Sequence, residues 1–347
     1  MSTADSFGRI GVLMGGNSSE RPISLRSGKA VLSALEAKGL VVVPLDIQGE
    51  QRQIISALEE ASLDVAFITL HGLGGEDGQI QSILEELDIP YIGSSPQGSL
   101  SAYNKLTAKK IFVEHGMLTP NYATIDSDGW HREISNFPFP VFVKPIEEGS
   151  SIGVKKISSF REAQNLIPQL FKSYSELLLE EAVIGRELTV GILADKALPV
   201  IELKPRNEFY DYEAKYTKGL TEYLIPAPLE FRVSREIQSV ALKAHRALGL
   251  RDFSRVDLIL SETGEIHILE VNTIPGFTET SLLPKAAKEA GIEFTDLCLT
   301  LLQLTRERCS SYGKKKIESA AVSRLNSHHS FQWRAILFII LVSAYFS

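Results

Sequence analysis

Between Ser254 and Asn272 the chain carries a guanidinium, two carboxylates and a side-chain amide at alternating positions: Arg255, Asp257, Glu270 and Asn272. Apolar residues alternate with them on either side of Ser261-Glu-Thr-Gly-Glu265, which predicts two β-strands folded back on each other. Successive strand side chains face opposite ways, so Arg255 and Asp257 share a face, as do Glu270 and Asn272. If Val256, Leu258, Leu269 and Val271 fill the core, the opposite face presents all four polar groups. Hard divalent cations want such oxygens; Mg²⁺ is usually held by one or two carboxylates while substrate phosphates complete its octahedron. A surface hairpin of alternating charges has the same pattern. Asn272 argues against that reading, because Asn is disfavoured in strands and here runs straight into the sharp turn Thr273-Ile-Pro-Gly276.

A metal held against phosphates needs a nucleotide, and the preceding stretches offer a site for one. Phe139-Pro-Val-Phe-Val-Lys144-Pro145 reads as a strand ending in a lysine. The Gly/Ser-rich turn after it contains Ser150, Ser151 and Gly153, whose backbone N–H groups and hydroxyls can close over phosphates while Lys144 neutralises them. It joins strands and is therefore unlike a P-loop, which enters a helix. Lys105 opens an amphipathic helix and is the lysine there suited to phosphate; the others read as solvated surface. Farther on, Glu180, the backbone near Val183, and Glu187 supply an edge acceptor, an apolar slot and a ribose carboxylate. Acids on a strand surface would look the same.

The elements that must position these groups follow from the chain in order. Arg9–Gly16 is an apolar run ending in glycines, a buried strand feeding a turn, and a helix is expected from about Ser24 to Leu40. Strands at Val41–Asp46 and Asp64–Leu70, a helix from Gly78 to Leu87 and a short strand at Pro90–Gly93 complete the opening of a doubly wound sheet that ends near Ser95. Ligands of open α/β sheets sit beyond the carboxyl ends of the strands, where Glu20 and His71 fall. The chain has 347 residues, enough for two or three domains, and is 44% hydrophobic. A net charge of -7 argues against a nucleic-acid partner. Two cysteines without metal-site spacing point to reduced cytosol, and the N-terminus has no apolar signal region.

Taken together, Lys105, Lys144, Glu180 to Glu187 and the Asp257/Glu270/Asn272 group resemble the ATP-grasp superfamily. Gly15-Gly-Asn-Ser18-Ser-Glu20-Arg-Pro-Ile-Ser24-Leu-Arg-Ser27-Gly28, His71-Gly-Leu-Gly-Gly-Glu-Asp-Gly78 and Phe209-Tyr210-Asp-Tyr212-Glu-Ala-Lys215-Tyr216 resemble signatures of the D-alanine–D-alanine ligases. The similarity runs from about residue 8 to 308. It implies an ATP-grasp α/β fold of three domains: a doubly wound parallel-sheet domain at 1–95, then two α+β parts at 96–184 and 185–309 that sandwich ATP.

The resemblance also implies roles. Lys105, Lys144 and Ser151 contact ATP phosphates, and Lys215 reaches the γ-phosphate as its loop closes. Glu180 and Val183 hold adenine, and Glu187 the ribose. Asp257, Glu270 and Asn272 bind two Mg²⁺, or Mn²⁺ in their place. Glu20 takes the ammonium of the first D-alanine, with His71 near its carboxylate. Ser150 and Tyr216 tie the loop to Glu20. Arg255 and the Gly276 N–H stabilise the oxyanion, and Ser281 with the Leu282 backbone receives the second D-alanine. The expected reaction is ATP-dependent formation of D-alanyl-D-alanine for peptidoglycan through an acyl phosphate. Tyr216 favours an amine as second substrate. D-alanine–D-lactate ligation and non-catalytic nucleotide binding are the alternatives. A cytoplasmic homodimer is expected from the family.

Beyond Arg306 the chain departs from the family pattern. Residues 310–347 include Lys314-Lys-Lys316 and an apolar run after Arg334, shorter than the roughly 20 residues of a spanning helix. This tail fits either a disordered extension or an interfacial anchor that places residues 331–347 against the inner membrane.

Overall fold

The computed structural model describes residues 7–205 and 220–310. Lys215, Tyr216 and the tail beyond residue 310 lie outside the described residues. The described residues up to Leu302 belong to one compact unit.

Three strands, β1 (Arg9–Gly15), β2 (Val41–Ile47) and β3 (Val65–Ile68), form a parallel sheet in the order β2-β1-β3. β1 and β3 are almost wholly buried, as a parallel strand covered by helices on both faces should be. Helix α1 (Arg21–Glu36) starts three residues earlier than the sequence suggests, because Pro22 lies in its first turn, where a missing N–H costs nothing. Helices α2 (Gln51–Ala61) and α3 (Gln79–Glu86) follow their strands. The strand expected at Pro90–Gly93 reduces to one parallel bridge, Ala66 with Tyr91.

A short helix that the sequence does not announce, α4 (Pro96–Tyr103), is capped by Ser95 and leads into α5 (Lys105–Glu114), capped by Asn104. The next strands, β4 (Tyr122–Asp126), β5 (Val141–Pro145), β6 (Lys155–Ile157) and β7 (Glu176–Glu181), form an antiparallel sheet in the order β4-β7-β5-β6. Ile125, Val141, Val143, Leu177 and Leu179 fill its core with Trp130 and Ile167 from its helices.

A second antiparallel sheet has the order β11-β10-β8-β12-β13, with β9 (Lys196–Ala197) on β8. Its members are β8 (Gly185–Leu193), β10 (Ile201–Pro205), β11 (Thr221–Leu224), β12 (Phe253–Ser261) and β13 (Ile266–Asn272). Helix Phe231–Ala247 packs Ile237, Ala241 and Ala244 on this sheet. Ala102, Ala108 and Phe112 of α4 and α5 enter the same core, so these two helices pack against the last sheet.

The hairpin β12–β13 forms as expected, with one correction. Arg255 pairs with Asn272, Val256 with Val271 and Asp257 with Glu270; then the register slips and Leu258 pairs with Ile268. Leu269 is the extra residue of a β-bulge. Strict alternation puts Leu269 in the core and Ile268 outside; the bulge reverses them. Ile268 and Ile266 are buried, and Leu269 faces a cavity.

Candidate active site

One face of β12–β13 carries two cross-strand pairs in succession, Arg255 opposite Asn272 and Asp257 opposite Glu270. Two strand residues span about 7 Å. The first pair lines a cavity of about 340 Å³ together with Glu20, Ser27, His71, Ser150, Gly276, Ser281 and Leu282. The second pair lines a cavity of about 360 Å³ together with Lys105, Lys144, Ser151, Glu180, Val183, Glu187 and Leu269. Every sequence-predicted site residue within the described stretches therefore lines one cavity or the other. The hairpin face is where the two meet.

In the first cavity, Glu20 precedes the first turn of α1 and is buried. The Ser150 hydroxyl donates a hydrogen bond to Glu20 Oε1. A Cβ on Gly149 would lie 2.4 Å from Glu20 Oε2, so a side chain there would displace the carboxylate. Ser150 and Ser151 both have positive φ, 51° and 59°. That conformation costs an ordinary L-residue roughly 1–2 kcal/mol.

His71 is buried beside the same cavity. A carbonyl only accepts, so His71 Nδ1 donates to Ile274 O at 2.8 Å, while Nε2 meets Ser27 Oγ at 3.1 Å. Ser27 Oγ also accepts from Phe277 N at 3.1 Å. Ile274 packs in the core of the parallel sheet. This network fixes the loop carrying Gly276 against the end of β3. Ser281 and Leu282 stand at the N-terminus of the helix Leu282–Glu289, and the Ser281 hydroxyl accepts from Thr278 N at 3.1 Å. An anion is favoured at such a helix start.

In the second cavity the polar residues form two groups. Asp257 Oδ1 accepts from Thr189 Oγ1 at 2.6 Å and Arg255 Nε at 2.9 Å; Oδ2 accepts from the other arm of Arg255 at 2.7 Å and Asn272 Nδ2 at 3.2 Å. Four donors fill the roughly four lone-pair positions of a carboxylate. Glu270 stands directly across from Asp257, and like charges so placed repel unless a cation intervenes. Two opposed carboxylates and an amide that can turn its oxygen inward fit a hard divalent cation. Binding one requires Asp257 to release a donor. Among the described residues no group of three or more His, Cys, Asp and Glu could hold a metal; the set here has two acids and relies on Asn272 as the third.

The other group surrounds Glu180. Lys144 Nζ donates to Glu180 Oε2 at 2.7 Å. Lys109 Nζ lies 3.0 Å from Oε1 but off the hydrogen-bonding direction, and that oxygen accepts no hydrogen bond among the described residues. Burial opposes the ionised carboxyl, yet the two lysines outweigh it and hold Glu180 below the usual carboxylate range. Lys109 is itself fully buried, and burial pulls its ammonium down to about 8 against the attraction of Glu180. The sequence had placed Lys109 on the solvated face of its helix. Lys105, Ala108, Lys109 and Phe112 are the buried positions of α5, so the stripe spacing of i, i+3, i+4 and i+7 was the available signal. The Lys105 ammonium donates to the carbonyl of Glu148, beside the Gly/Ser-rich turn.

Comparison with known proteins matches residues 49–94 to the family described as D-ala D-ala ligase N-terminus and residues 111–303 to D-ala D-ala ligase C-terminus. The chain is 42% identical over 301 residues to a D-alanine–D-alanine ligase of Saccharophagus degradans, covering 86% of this chain and 95% of that one. It is 45% identical over 289 residues to the enzyme of that name from Aquifex aeolicus, covering 83% and 98%. Among solved structures it resembles a D-alanine–D-alanine ligase from Bacillus anthracis complexed with ATP, with a TM-score of 0.78, 32% identity and coverage of 88% and 99%. It also resembles the VanG D-Ala:D-Ser ligase from Enterococcus faecalis, with a TM-score of 0.74, 30% identity and coverage of 86% and 100%.

Proposed function

Because the chain belongs to the D-alanine–D-alanine ligase family, we infer that the hairpin face joining its two cavities is where a phosphoryl group passes from nucleotide to amino acid. The protein is an ATP-dependent ligase with an ATP-grasp fold that makes D-alanyl-D-alanine for cell-wall synthesis. The observation that carries the reading is the register: one residue pair opens on the first cavity and the next pair on the second.

A carboxylate is a poor electrophile, so the first D-alanine must be activated as an acyl phosphate before the second amine can attack. Glu20, oriented by Ser150, takes the ammonium of the first D-alanine, and His71 closes the pocket near its carboxylate. Lys105, Lys144 and Ser151 receive the ATP phosphates. Glu180 and the Val183 backbone hold adenine, and Glu187 the ribose. Ser281 and the Leu282 N–H anchor the carboxylate of the second D-alanine. Arg255 and the Gly276 N–H face the carbonyl oxygen on which charge develops, where preorganised donors matter most. Asp257, Glu270 and Asn272 would hold two Mg²⁺, or Mn²⁺, whose charge neutralises the phosphoryl oxygens. Lys215 and Tyr216 complete the site from the loop outside the described residues.

A division at 1–95, 96–184 and 185–309 is part of this reading; the three buried clusters agree with its number, while α4 and α5 of the second part pack in the cluster of the third and Ile274 in that of the first. A homodimer in the cytoplasm is proposed on family grounds. No described helix is long and apolar enough to cross a membrane. Peripheral contact through residues 331–347 rests on their composition alone. A product assay with D-alanine, ATP and Mg²⁺ tests the reading: dipeptide from the native enzyme and almost none from Glu270→Gln supports it, and equal output from both removes the metal-site assignment.

A further inference from the structure

Lys109 has no part in the roles above, yet it is among the largest fully buried side chains of the molecule. Burying an ammonium costs several kcal/mol after relaxation, and an apolar residue of similar volume is often neutral or better. Its surroundings explain what it does there. Its Nζ lies 3.0 Å from Glu180 Oε1 and donates to Thr119 Oγ1 at 2.6 Å. That hydroxyl in turn donates to Ile268 O at 2.8 Å. Ile268 N donates to Leu118 O at 2.9 Å, so the segment beside Thr119 is tied to β13 from both sides.

Ile268 immediately precedes Leu269, the bulged residue that lines the nucleotide cavity. A single ammonium thus joins the carboxylate on one wall of that cavity, on β7, to the bulge on the other, on β13. Lys144 holds the second oxygen of Glu180, so the carboxyl group is gripped from both sides and cannot rotate without losing an ion pair.

From this geometry we propose that Lys109 is a positioning residue for base recognition: it fixes the orientation of the Glu180 carboxyl and sets its distance from the Leu269 wall. The site thereby favours a purine with an amino group at C6 over one with a carbonyl there. The proposal rests on the reading of Glu180 as the adenine acceptor. A 6-oxo purine turns an acceptor toward that carboxylate, and an unmatched polar pair in a buried site is rejected strongly.

The experiment compares ATP with ITP as the nucleotide in steady-state ligation by the full-length enzyme, alongside a thermal melt. The variants are Lys109→Met, Thr119→Val and Glu180→Gln. In Lys109→Met the KM for ATP should rise about tenfold and the ATP-over-ITP preference in kcat/KM should shrink by at least about fivefold, with the KM for D-alanine unchanged. Thr119→Val keeps both charges and should move the preference the same way by about twofold, which keeps the test decisive if Lys109→Met does not fold. A lowered melting temperature with the preference intact in Lys109→Met, or in Thr119→Val where only that variant folds, overturns the proposal and leaves Lys109 as a core ion-pair partner. Should Glu180→Gln itself leave the preference untouched, the base-recognition reading falls and the proposal with it; a shift in Glu180→Gln without one at Lys109 sinks the proposal alone.

Discussion

Asp257 and Glu180 line the same cavity, the one proposed above for the nucleotide, and their surroundings are opposites. Four donors occupy Asp257, two of them from one guanidinium on its own strand. Glu180 has two lysines beside it and still keeps one oxygen without a directed hydrogen bond. At the hairpin end the Arg255 guanidinium and the Asn272 amide both donate to Asp257, and on the metal reading proposed above a cation would have to displace one of them. At the β7 end two lysines hold Glu180 ionised and oriented, so on the base-acceptor reading proposed above little has to move. On the proposed roles, the hairpin would exchange partners on binding while the β7 end is preorganised.

The largest expected effect is at the exchanging end. Glu270→Gln keeps the shape but removes one of two facing charges. Dipeptide formation should fall roughly a hundred- to a thousand-fold, the size seen when one transition-state stabiliser is lost. Phosphate release in the presence of D-alanine measures it. A loss below about fivefold would mean that the opposed carboxylates do not share a cation, and the contrast with Glu180 would lose its first half.

Arg255→Met should also lower kcat by about a hundred-fold if Arg255 serves as the oxyanion donor proposed above. The same change releases two of the four hydrogen bonds on Asp257. Mg²⁺ should then bind the nucleotide-free variant more tightly than the native enzyme, as measured by calorimetry. Tighter metal binding with slower turnover is the signature of partner exchange; weaker metal binding contradicts it.

How much of this contrast the sequence discloses follows the same line. Alternation around Ser254–Asn272 suffices to put Arg255, Asp257, Glu270 and Asn272 on one face, because side-chain period is local information. Lys144 at the end of β5 and Glu180 on β7 are legible as candidates, although their 2.7 Å pairing depends on a strand order that no local pattern states. The bulge at Leu269 leaves no mark, since Ile-His-Ile-Leu-Glu-Val reads equally well without it. Lys109 was hidden by its type: lysine is almost never fully buried unless paired, and the partner lies 71 positions away on another sheet. α4 was missed because Gly98, Ser99 and Ser101 face inward, giving the helix a buried side with little hydrophobic period.

Glu180→Gln probes the preorganised end with a smaller expected effect. The amide retains the shape, loses the charge that Lys109 and Lys144 compensate, and leaves the buried Lys109 ammonium facing the partly exposed one of Lys144. The KM for ATP should rise roughly tenfold to a hundred-fold, the cost of about 1.4 to 2.7 kcal/mol for one disrupted charge-assisted contact. kcat at saturating ATP should change little, which separates this end from the hairpin, where kcat carries the loss. A fall in kcat with KM unchanged would place Glu180 in the chemistry.

The smallest effect concerns pH, and its two consequences run in opposite directions. Lys109 titrates near 8 in the folded protein, well below the ordinary lysine value of 10.5. Between those values the unfolded chain binds more protons than the native one, so stability contributed by this group rises with pH across that window. Deprotonation also removes one of the two cations that hold Glu180. ATP binding should therefore weaken by about three- to tenfold as pH goes from 7 to 9, while the protein does not lose stability on that account. Calorimetric titration of ATP across this range, with a melt at each pH, measures both. The slope in ATP affinity should vanish in Lys109→Met, which has no proton to lose. If affinity and melting temperature instead decline together in both proteins, the weakening comes from loss of the fold and the β7 end is no better preorganised than the hairpin.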